Sequence, residues 1–401
     1  MKIFTKLLSL VASLSLNHSI SLAAIPKTLS AESALTATAT STTNTNQKMV
    51  RVHLTTVGRK IQITGLSLRF QNREQTYRSV SIAQNGKAEV RLLEKDGKNF
   101  WSLKLNDQDR EHLFTEKYLM IQGQDLRAGA RALPEKVMLV ANKKNVDLIG
   151  VLPLEEYVAG VLASEVPLSW PMETLKAQAV AIRSYTMAVM QERQSRDFHV
   201  ESTVMDQVFN HDPALSTSKN HKAVEATRAT EGVVLYGPDQ KVLKAFYHAD
   251  CGGHTTAAKN VWKGGVDSGV AVDSSCPTRP RSHWSFKISR EALIKRLHIA
   301  SISSLTLLRA HGESRVEAVQ VAMNDGAHKV IEANQFRQML GFKDLRSTLF
   351  DMKEEARHIV FVGRGFGHGV GLCQWGSRAL GLAGEKFQDI LKHYYPLARL
   401  D

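Results

Sequence analysis

The chain has 401 residues, 43% of them hydrophobic, and a formal net charge of +13 at pH 7. That length and apolar share support a sizeable core and two lobes. The basic balance would suit a nucleic-acid partner, but no recognition helix, zinc finger or RNA-binding motif accompanies it, so nucleic acid is excluded from the expected partners.

Lys2 and Lys6 precede an apolar run from Leu7 to Leu16, and Ser21-Leu22-Ala23 supplies a small-residue cleavage site. Residues 1–23 therefore read as a secretory signal peptide. The other reading is a retained membrane anchor, against which stands the shortness of the run, and no later stretch is apolar and long enough to span a bilayer. For an exported chain the anions a basic surface meets are cell-wall polymer and membrane surface; plain solvated charge is the alternative. Residues 24–48, rich in Ser, Thr and Ala, bury too little to offset ordering entropy and are expected to form a flexible tether.

From Met49 to about Asp147 apolar residues alternate as in half-buried antiparallel strands: Val50, Val52 and Leu54, then Leu66, Leu68 and Phe70, then Ala88, Val90 and Leu92 after the turn pair Asn85-Gly86. Trp101, Leu103 and Leu105 follow Asp96-Gly97, and Tyr118–Ile121 and Val137–Val140 continue the series. Residues 49–147 form this N-terminal β-rich part, which carries no catalytic constellation and is expected to buttress the helical segment next in the chain.

Val151 to Arg193 holds two helical patterns around a short break. Leu154, Tyr157, Val158, Val161 and Leu162 make one core-facing stripe; Met172, Leu175, Ala179, Ile182, Thr186 and Val189 make the other. Pro167 biases Val166 to extended geometry, so the first helix should end near Ser164, with Ser169 as the N-cap of the second and Pro171 just inside it. Glu165, in Ala163-Ser164-Glu165-Val166-Pro167, is thus held between two rigid elements among apolar neighbours. Glu155 and Glu156, in a first helical turn, are expected to be solvated and favoured by the helix dipole.

Asp206–Ala214 reads as a loop, and a helix around His221–Thr230 should close at Gly232. Val233–Tyr236 and Val242–His248 suggest a hairpin turning at Gly237 and delivering Tyr247-His248-Ala249-Asp250-Cys251-Gly252-Gly253-His254-Thr255. Residues 284–349 change to strand, helix, two strands, helix, a second α+β lobe.

Near the C-terminus Gly363, Gly365, Gly367, Gly369 and Gly371 alternate with larger residues. In an extended strand all five would share one face, stripped for a ligand or for a second backbone. No Lys-Ser/Thr pair follows and the spacing does not fit a dinucleotide fingerprint, so a phosphate cradle is rejected. Of three cysteines, Cys251 and Cys276 are candidates for a disulfide worth about 3 kcal/mol in an oxidising compartment. His248, Cys251, His254 and Cys276 are also four possible metal ligands. Cys373 is left over as a small buried hydrophobe.

LPLEEYVAGVLASEVP with LKAQAVAIRSYT, then FYHADCGGHT, then GRGFGHGVGLCQWGSRAL stand in an order that resembles the SpoIID/LytB family of bacterial cell-wall proteins, over about residues 49 to 400. The resemblance implies a peptidoglycan lytic transglycosylase cleaving the MurNAc–GlcNAc bond, with a preference for peptide-free strands, or else a non-catalytic enhancer of an amidase. It also implies that the Glu of the Ser-Glu-x-Pro junction, here Glu165, is the catalytic acid. By the same motifs Arg183, Tyr247, His248, Thr255, His368 and Gln374 are expected to contact substrate. Asp206 and Asp250 remain candidates for the second carboxylate of a hydrolase. Some family members carry a His/Cys zinc cluster before the Asp-Gln-Val-Phe position; this chain has FHVESTVMDQVF there, without cysteine, and no metal or other cofactor is expected.

The expected fold class is therefore α+β: a β-rich catalytic domain whose helical pair carries the active site, with residues 148–401 as the SpoIID/LytB-like catalytic region and 284–349 as a smaller lobe within it. The expected partners are peptidoglycan glycan strands and an amidase or cell-wall remodelling complex. The expected location is the periplasm or cell envelope, with membrane contact only through a retained signal segment.

Overall fold

The computed structural model describes residues 47–71, 80–82, 85–106, 110–115, 117–212, 221–262, 264–274, 282–310 and 312–401. The signal-peptide and tether expectations lie outside the described residues.

The alternation in the first third of the described chain builds a mixed sheet. Its strands lie in the order Val200–Glu201, Met49–Val57, Asn145–Pro153, Lys136–Asn142, Tyr118–Ala128, Lys60–Gln71, Gly86–Lys95, Lys98–Leu105 and Glu111–Phe114. Val50, Val52 and Leu54 are buried while their neighbours are more exposed, as period-two patterning requires. Asp96 and Gly97 both have positive φ (53° and 70°), the geometry that a tight two-residue hairpin demands. Neighbours are antiparallel except Val200–Glu201, which runs parallel to the first strand through Val52↔Val200 and His53↔Glu201.

Two helices come next: α1, Leu154–Glu165, and α2, Met172–Glu192. All five stripe residues of α1 are buried, and Tyr157, Val158, Val161, Leu162, Leu175, Ala179 and Ile182 share one apolar cluster with the sheet residues Val50, Ile63, Trp101 and Leu139. The sheet thus buttresses the pair through a common core. Val166 is extended (φ −134°, ψ 148°), as its proline neighbour dictates, and α1 runs one residue past Ser164 to include Glu165. Ser169 is not the cap of α2. Trp170 closes a turn onto the Pro167 carbonyl, and the helix begins beyond Pro171, whose carbonyl accepts the Leu175 N–H at 3.1 Å.

α2 is buried on more faces than its stripe implied. Ala177, Val180 and Ala181, on another side, pack into a further cluster with Leu243, Ala245, Leu372, Ile390 and Tyr394. Its buried hydroxyls turn back on the helix, Ser184 to the Val180 carbonyl and Thr186 to that of Ile182. Helix α3, His221–Arg228, comes after it, with Gly232 at φ 79° beyond its end.

The expected hairpin at Gly237 forms but is short: a Tyr236–Val242 bridge, with the Leu243 N–H donating to the Leu235 carbonyl at 2.8 Å and the Gly237 N–H to that of Lys241 at 2.9 Å. Leu235–Tyr236 also pairs with Arg399–Leu400, and Tyr247–His248 runs parallel to Leu372–Cys373. Residues 283–364 enclose a separate buried cluster around Leu293, Val319, Phe336 and Phe361. Here His283–Ser289 leads into α4, Arg290–Leu297; then come Ser304–Leu308, Ala318–Ala322 and His328–Glu332, and α5, Ala333–Leu340. The region extends past 349, because Phe350–Glu354 and His358–Arg364 complete the sheet that His283–Ser289 begins. The chain ends with α6, Gln374–Leu382, and α7, Phe387–Tyr394. The described chain is α+β.

The glycine run is not an extended strand. Gly365, Gly367, Gly369 and Gly371 all have positive φ, 83°, 120°, 83° and 67°, which only glycine adopts without strain. Their missing side chains admit a second segment. A Cβ at Gly367 would sit 2.6 Å from His248 Cβ, and one at Gly371 would overlap the Phe246 carbonyl. Gly371→Ala is accordingly expected to cost about 2–4 kcal/mol, combining left-handed strain with overpacking, and a urea unfolding curve measures it.

Candidate active site

The parallel pairing of Tyr247–His248 with Leu372–Cys373 brings two of the sequence motifs side by side, and the end of α1 supplies the third. Glu165, Tyr247, His248, His368 and Gln374 all line one groove of about 1090 Å³. Its far wall carries Arg337, Phe342 and Lys343, from α5 and the loop after it.

Glu165 is half-buried. Burial pushes its carboxyl above the ordinary carboxylate range, and hydrogen bonds from the Val208 N–H and the Gln374 side chain pull partly the other way. The Val208 N–H donates to Oε1 at 2.9 Å. That amide bond orients the acid at the groove's edge, the arrangement a proton donor requires.

His368 is neutral: burial, with the neighbouring His248, Arg337 and Arg315, holds its pKa well below the usual histidine value. Its Nδ1 accepts the Val370 N–H at 3.0 Å, which places the ring proton on Nε2. His248 Nδ1 lies 3.1 Å from the Val370 carbonyl, to which it donates. Phe246 and Trp262 stack at 4.2 Å with 17° between planes, and the His368 ring meets Trp262 edge-on at 5.0 Å. The result is an aromatic wall beside the acid. Trp262 carries no signal in its own neighbourhood, Asn260-Val261-Trp262, and sequence reasoning missed it.

Two of the expected contact residues are elsewhere. Arg183, 1% exposed, grips Glu155 with a two-pronged pair, Nε to Oε1 at 2.8 Å and Nη2 to Oε2 at 2.6 Å. Its remaining donors reach the Val233 and Thr227 carbonyls at 3.2 Å each. It ties α2 to α1 and to the segment after α3, and does not line the groove. Glu155 is correspondingly a structural partner rather than a solvated end group. Glu156 lines a different hollow of about 500 Å³ with Glu135 and His211. Thr255 is buried, its hydroxyl accepting the Ala271 N–H at 2.7 Å.

Asp206 borders the groove, but its carboxylate is saturated. Tyr185 Oη donates to Oδ1 at 2.9 Å, Arg193 to both oxygens at 2.6 and 3.1 Å, and the Glu201 N–H to Oδ2 at 2.9 Å. Asp250 is buried outside the groove lining, accepting the Gly252 N–H at 2.8 Å in a local turn. The expected disulfide cannot be placed, because Cys276 lies outside the described residues.

Comparison with known proteins matches stretches of this chain to known families. A family model described as stage II sporulation protein, SpoIID, matches residues 142–236, which carry Glu165, and a model described as a domain of unknown function matches residues 285–371. An uncharacterized protein of Brachyspira hyodysenteriae is 31% identical over 265 residues, 65% of this chain and 69% of the relative. Stage II sporulation protein D of Bacillus subtilis is 29% identical over 256 residues, 61% of this chain and 73% of its own length. The amidase enhancer of Bacillus subtilis is 27% identical over 287 residues, 59% of this chain but only 39% of that longer protein.

Proposed function

Because the chain belongs to the SpoIID family, we propose that it is an exported peptidoglycan lytic transglycosylase with Glu165 as its acid and base. The observation that carries this reading is one carboxyl group, raised in pKa by burial, at the edge of an aromatic-walled groove. The reaction needs no more ionisable groups than that. Protonated Glu165 donates to the glycosidic oxygen between MurNAc and GlcNAc as the C1–O bond breaks. The resulting carboxylate accepts the proton of the MurNAc C6 hydroxyl as that oxygen bonds to C1 and closes the 1,6-anhydro ring. The acid is regenerated and no water is consumed, so the second carboxylate of most hydrolytic glycosidases is not required.

The surrounding groups fit these steps. Gln374 and the Val208 amide hold the carboxyl in place, neutral His368 is fixed by backbone bonds to Val370 and Tyr247 and adds no charge to the groove, and the Phe246–Trp262 stack offers an apolar face to a sugar ring. Strands free of stem peptides are the preferred substrate in this reading. Analysis of the glycan ends released from purified peptidoglycan tests it, with 1,6-anhydroMurNAc ends expected from the wild-type protein.

Hydrolysis by a Glu165–Asp206 pair would leave reducing MurNAc ends, one water heavier. With four donors on its two oxygens Asp206 has little capacity left to activate water. Asp206→Asn is therefore expected to lower stability through the lost Arg193 pair while leaving the product anhydro, which mass spectrometry reads directly. A second reading is favoured by the relative named an amidase enhancer: a protein that binds glycan and stimulates an N-acetylmuramoyl-L-alanine amidase without cleaving. It predicts glycan binding and amidase stimulation with no new glycan ends.

A further inference from the structure

Behind the groove, where the two motif segments pair, three metal-ligating side chains converge that the groove does not use. Cys251, Asp273 and Cys373 are all buried, and their ligand atoms lie within 4.8 Å of one another. We propose that they form a binding site for one soft divalent cation of the zinc class, ligated by two thiolates and one carboxylate.

The spacing suits tetrahedral coordination. Bonds of about 2.3 Å to sulfur and 2.1 Å to oxygen at the tetrahedral angle separate the two ligand atoms by about 3.6 Å. Cys251 Sγ lies 3.7 Å from Asp273 Oδ2. A water would complete the tetrahedron as the fourth ligand, as it does in other sites with three protein ligands.

Both sulfurs sit among polar groups rather than in an apolar pocket. Backbone amides point at both sulfurs: Cys251 N at 3.2 Å and Gly376 N at 3.4 Å from Cys373 Sγ, and Gly253 N at 3.3 Å from Cys251 Sγ. Cys373 also caps the N-terminus of α6, where the helix dipole favours negative charge. The carboxylate is oriented by an outer partner, Tyr394, whose hydroxyl donates to Asp273 Oδ2 at 2.8 Å, the kind of support that metal-ligating carboxylates receive. Gly376 makes room for this, because a Cβ there would occupy the space of the Asp273 carboxylate and the Tyr394 hydroxyl.

Charge balance points the same way. Arg315 is 4% exposed and makes no ion pair among the described residues; its guanidinium bonds the Cys251 and His254 carbonyls, and the groups of opposite charge that act on it are the two cysteines and, more weakly, Glu313. A buried cation with no direct counter-ion is costly. Two thiolates and a carboxylate around a divalent ion leave one net negative charge, which offsets Arg315. The site also fixes Cys373, the residue before Gln374, and so anchors one wall of the groove from behind.

The test is metal binding by the purified full-length protein, reduced, stripped with chelator and titrated with cobalt(II) and then zinc(II). One equivalent of cobalt per chain, with a thiolate-to-cobalt charge-transfer band that zinc abolishes, is expected. Zinc should also protect Cys251 and Cys373 from alkylation in the folded wild-type protein, a measurement that needs no variant. Asp273→Asn keeps side-chain size and is expected to weaken binding more than about tenfold, since even outer-shell partners are worth 10- to 100-fold. Absence of a charge-transfer band in folded, reduced wild-type protein overturns the proposal. So does peptide mapping that finds Cys251 or Cys373 in a disulfide in protein isolated without reductant. Neither result depends on glycan cleavage.

Discussion

Glu165→Gln is expected to abolish the release of 1,6-anhydroMurNAc ends while leaving glycan binding within about twofold of wild type. General acid–base groups contribute about 10²–10⁴-fold, and in the proposed reaction one group serves both steps, so residual cleavage should fall below detection. Gln preserves the shape and the carbonyl that accepts the Val208 N–H at 2.9 Å, so the groove survives the change. Pull-down on insoluble peptidoglycan separates binding from cleavage. A wild-type protein that binds both peptide-bearing and peptide-free strands and cleaves neither would remove the enzyme reading altogether and leave the enhancer.

The raised pKa of Glu165 makes two further demands on the same pair of proteins. Cleavage needs the protonated acid, so the rate should hold at low pH and decline as pH rises through the elevated pKa, above the ordinary value of 4.5. Stability follows the same sign. The folded state binds the proton more tightly than the unfolded chain, so its contribution is fully present below the unfolded pKa and is lost as pH rises through the folded one. Each unit of elevation corresponds to about 1.4 kcal/mol. Glu165→Gln removes that loss, so the variant should be more stable than wild type at neutral pH and lose the advantage towards pH 4. Urea midpoints at the two pH values measure it.

Arg183→Ala should produce the largest stability effect of any single charge removal in the helical pair, about 3–5 kcal/mol. The guanidinium is 1% exposed and makes five bonds, two to Glu155, two to the carbonyls of Val233 and Thr227, and a long one to the Thr230 hydroxyl. Truncation leaves a void, an unpaired carboxylate and two orphaned carbonyls. Arg183→Lys restores charge but not the planar fork and should recover only part of the loss. Because the residue lies away from the groove, the fraction that remains folded should cleave with unchanged glycan affinity. A variant as stable as wild type but weakened in glycan binding would put Arg183 back among the substrate contacts.

Much of this site was legible in the residues. Alternation at Val50, Val52 and Leu54 announced the strands, the two stripes announced α1 and α2, and the Pro167 neighbour rule placed Glu165 at their junction. What was not legible depends on partners distant in the chain. Arg183 stands within a motif-bearing segment, but nothing local says that its counter-ion is Glu155. Thr255 is spent on the Ala271 backbone. Glycine spacing reports the absence of side chains and not the sign of φ, so an extended face was expected where Gly365 to Gly371 are left-handed. The hairpin at Gly237 closes but stops after Leu243, because Tyr247–His248 pairs with Leu372–Cys373, a partner distant in the chain. The strand His328–Glu332 has a single buried residue, Ile331, and so gave no alternation to read.

That two-residue parallel pairing also sets an order of events. His248 and Val370, bonded side chain to backbone, are 122 positions apart, and closing so long a loop contributes nothing until both segments are present. Synthesis delivers the chain N-terminus first, so the sheet, α1 and α2 can be packed, with Glu165 in place, while its partner Gln374 has yet to emerge. The groove is therefore among the last features to be assembled. A chain cut short before Leu372 would keep Glu165 and lack Gln374 and the strand that pairs with Tyr247–His248.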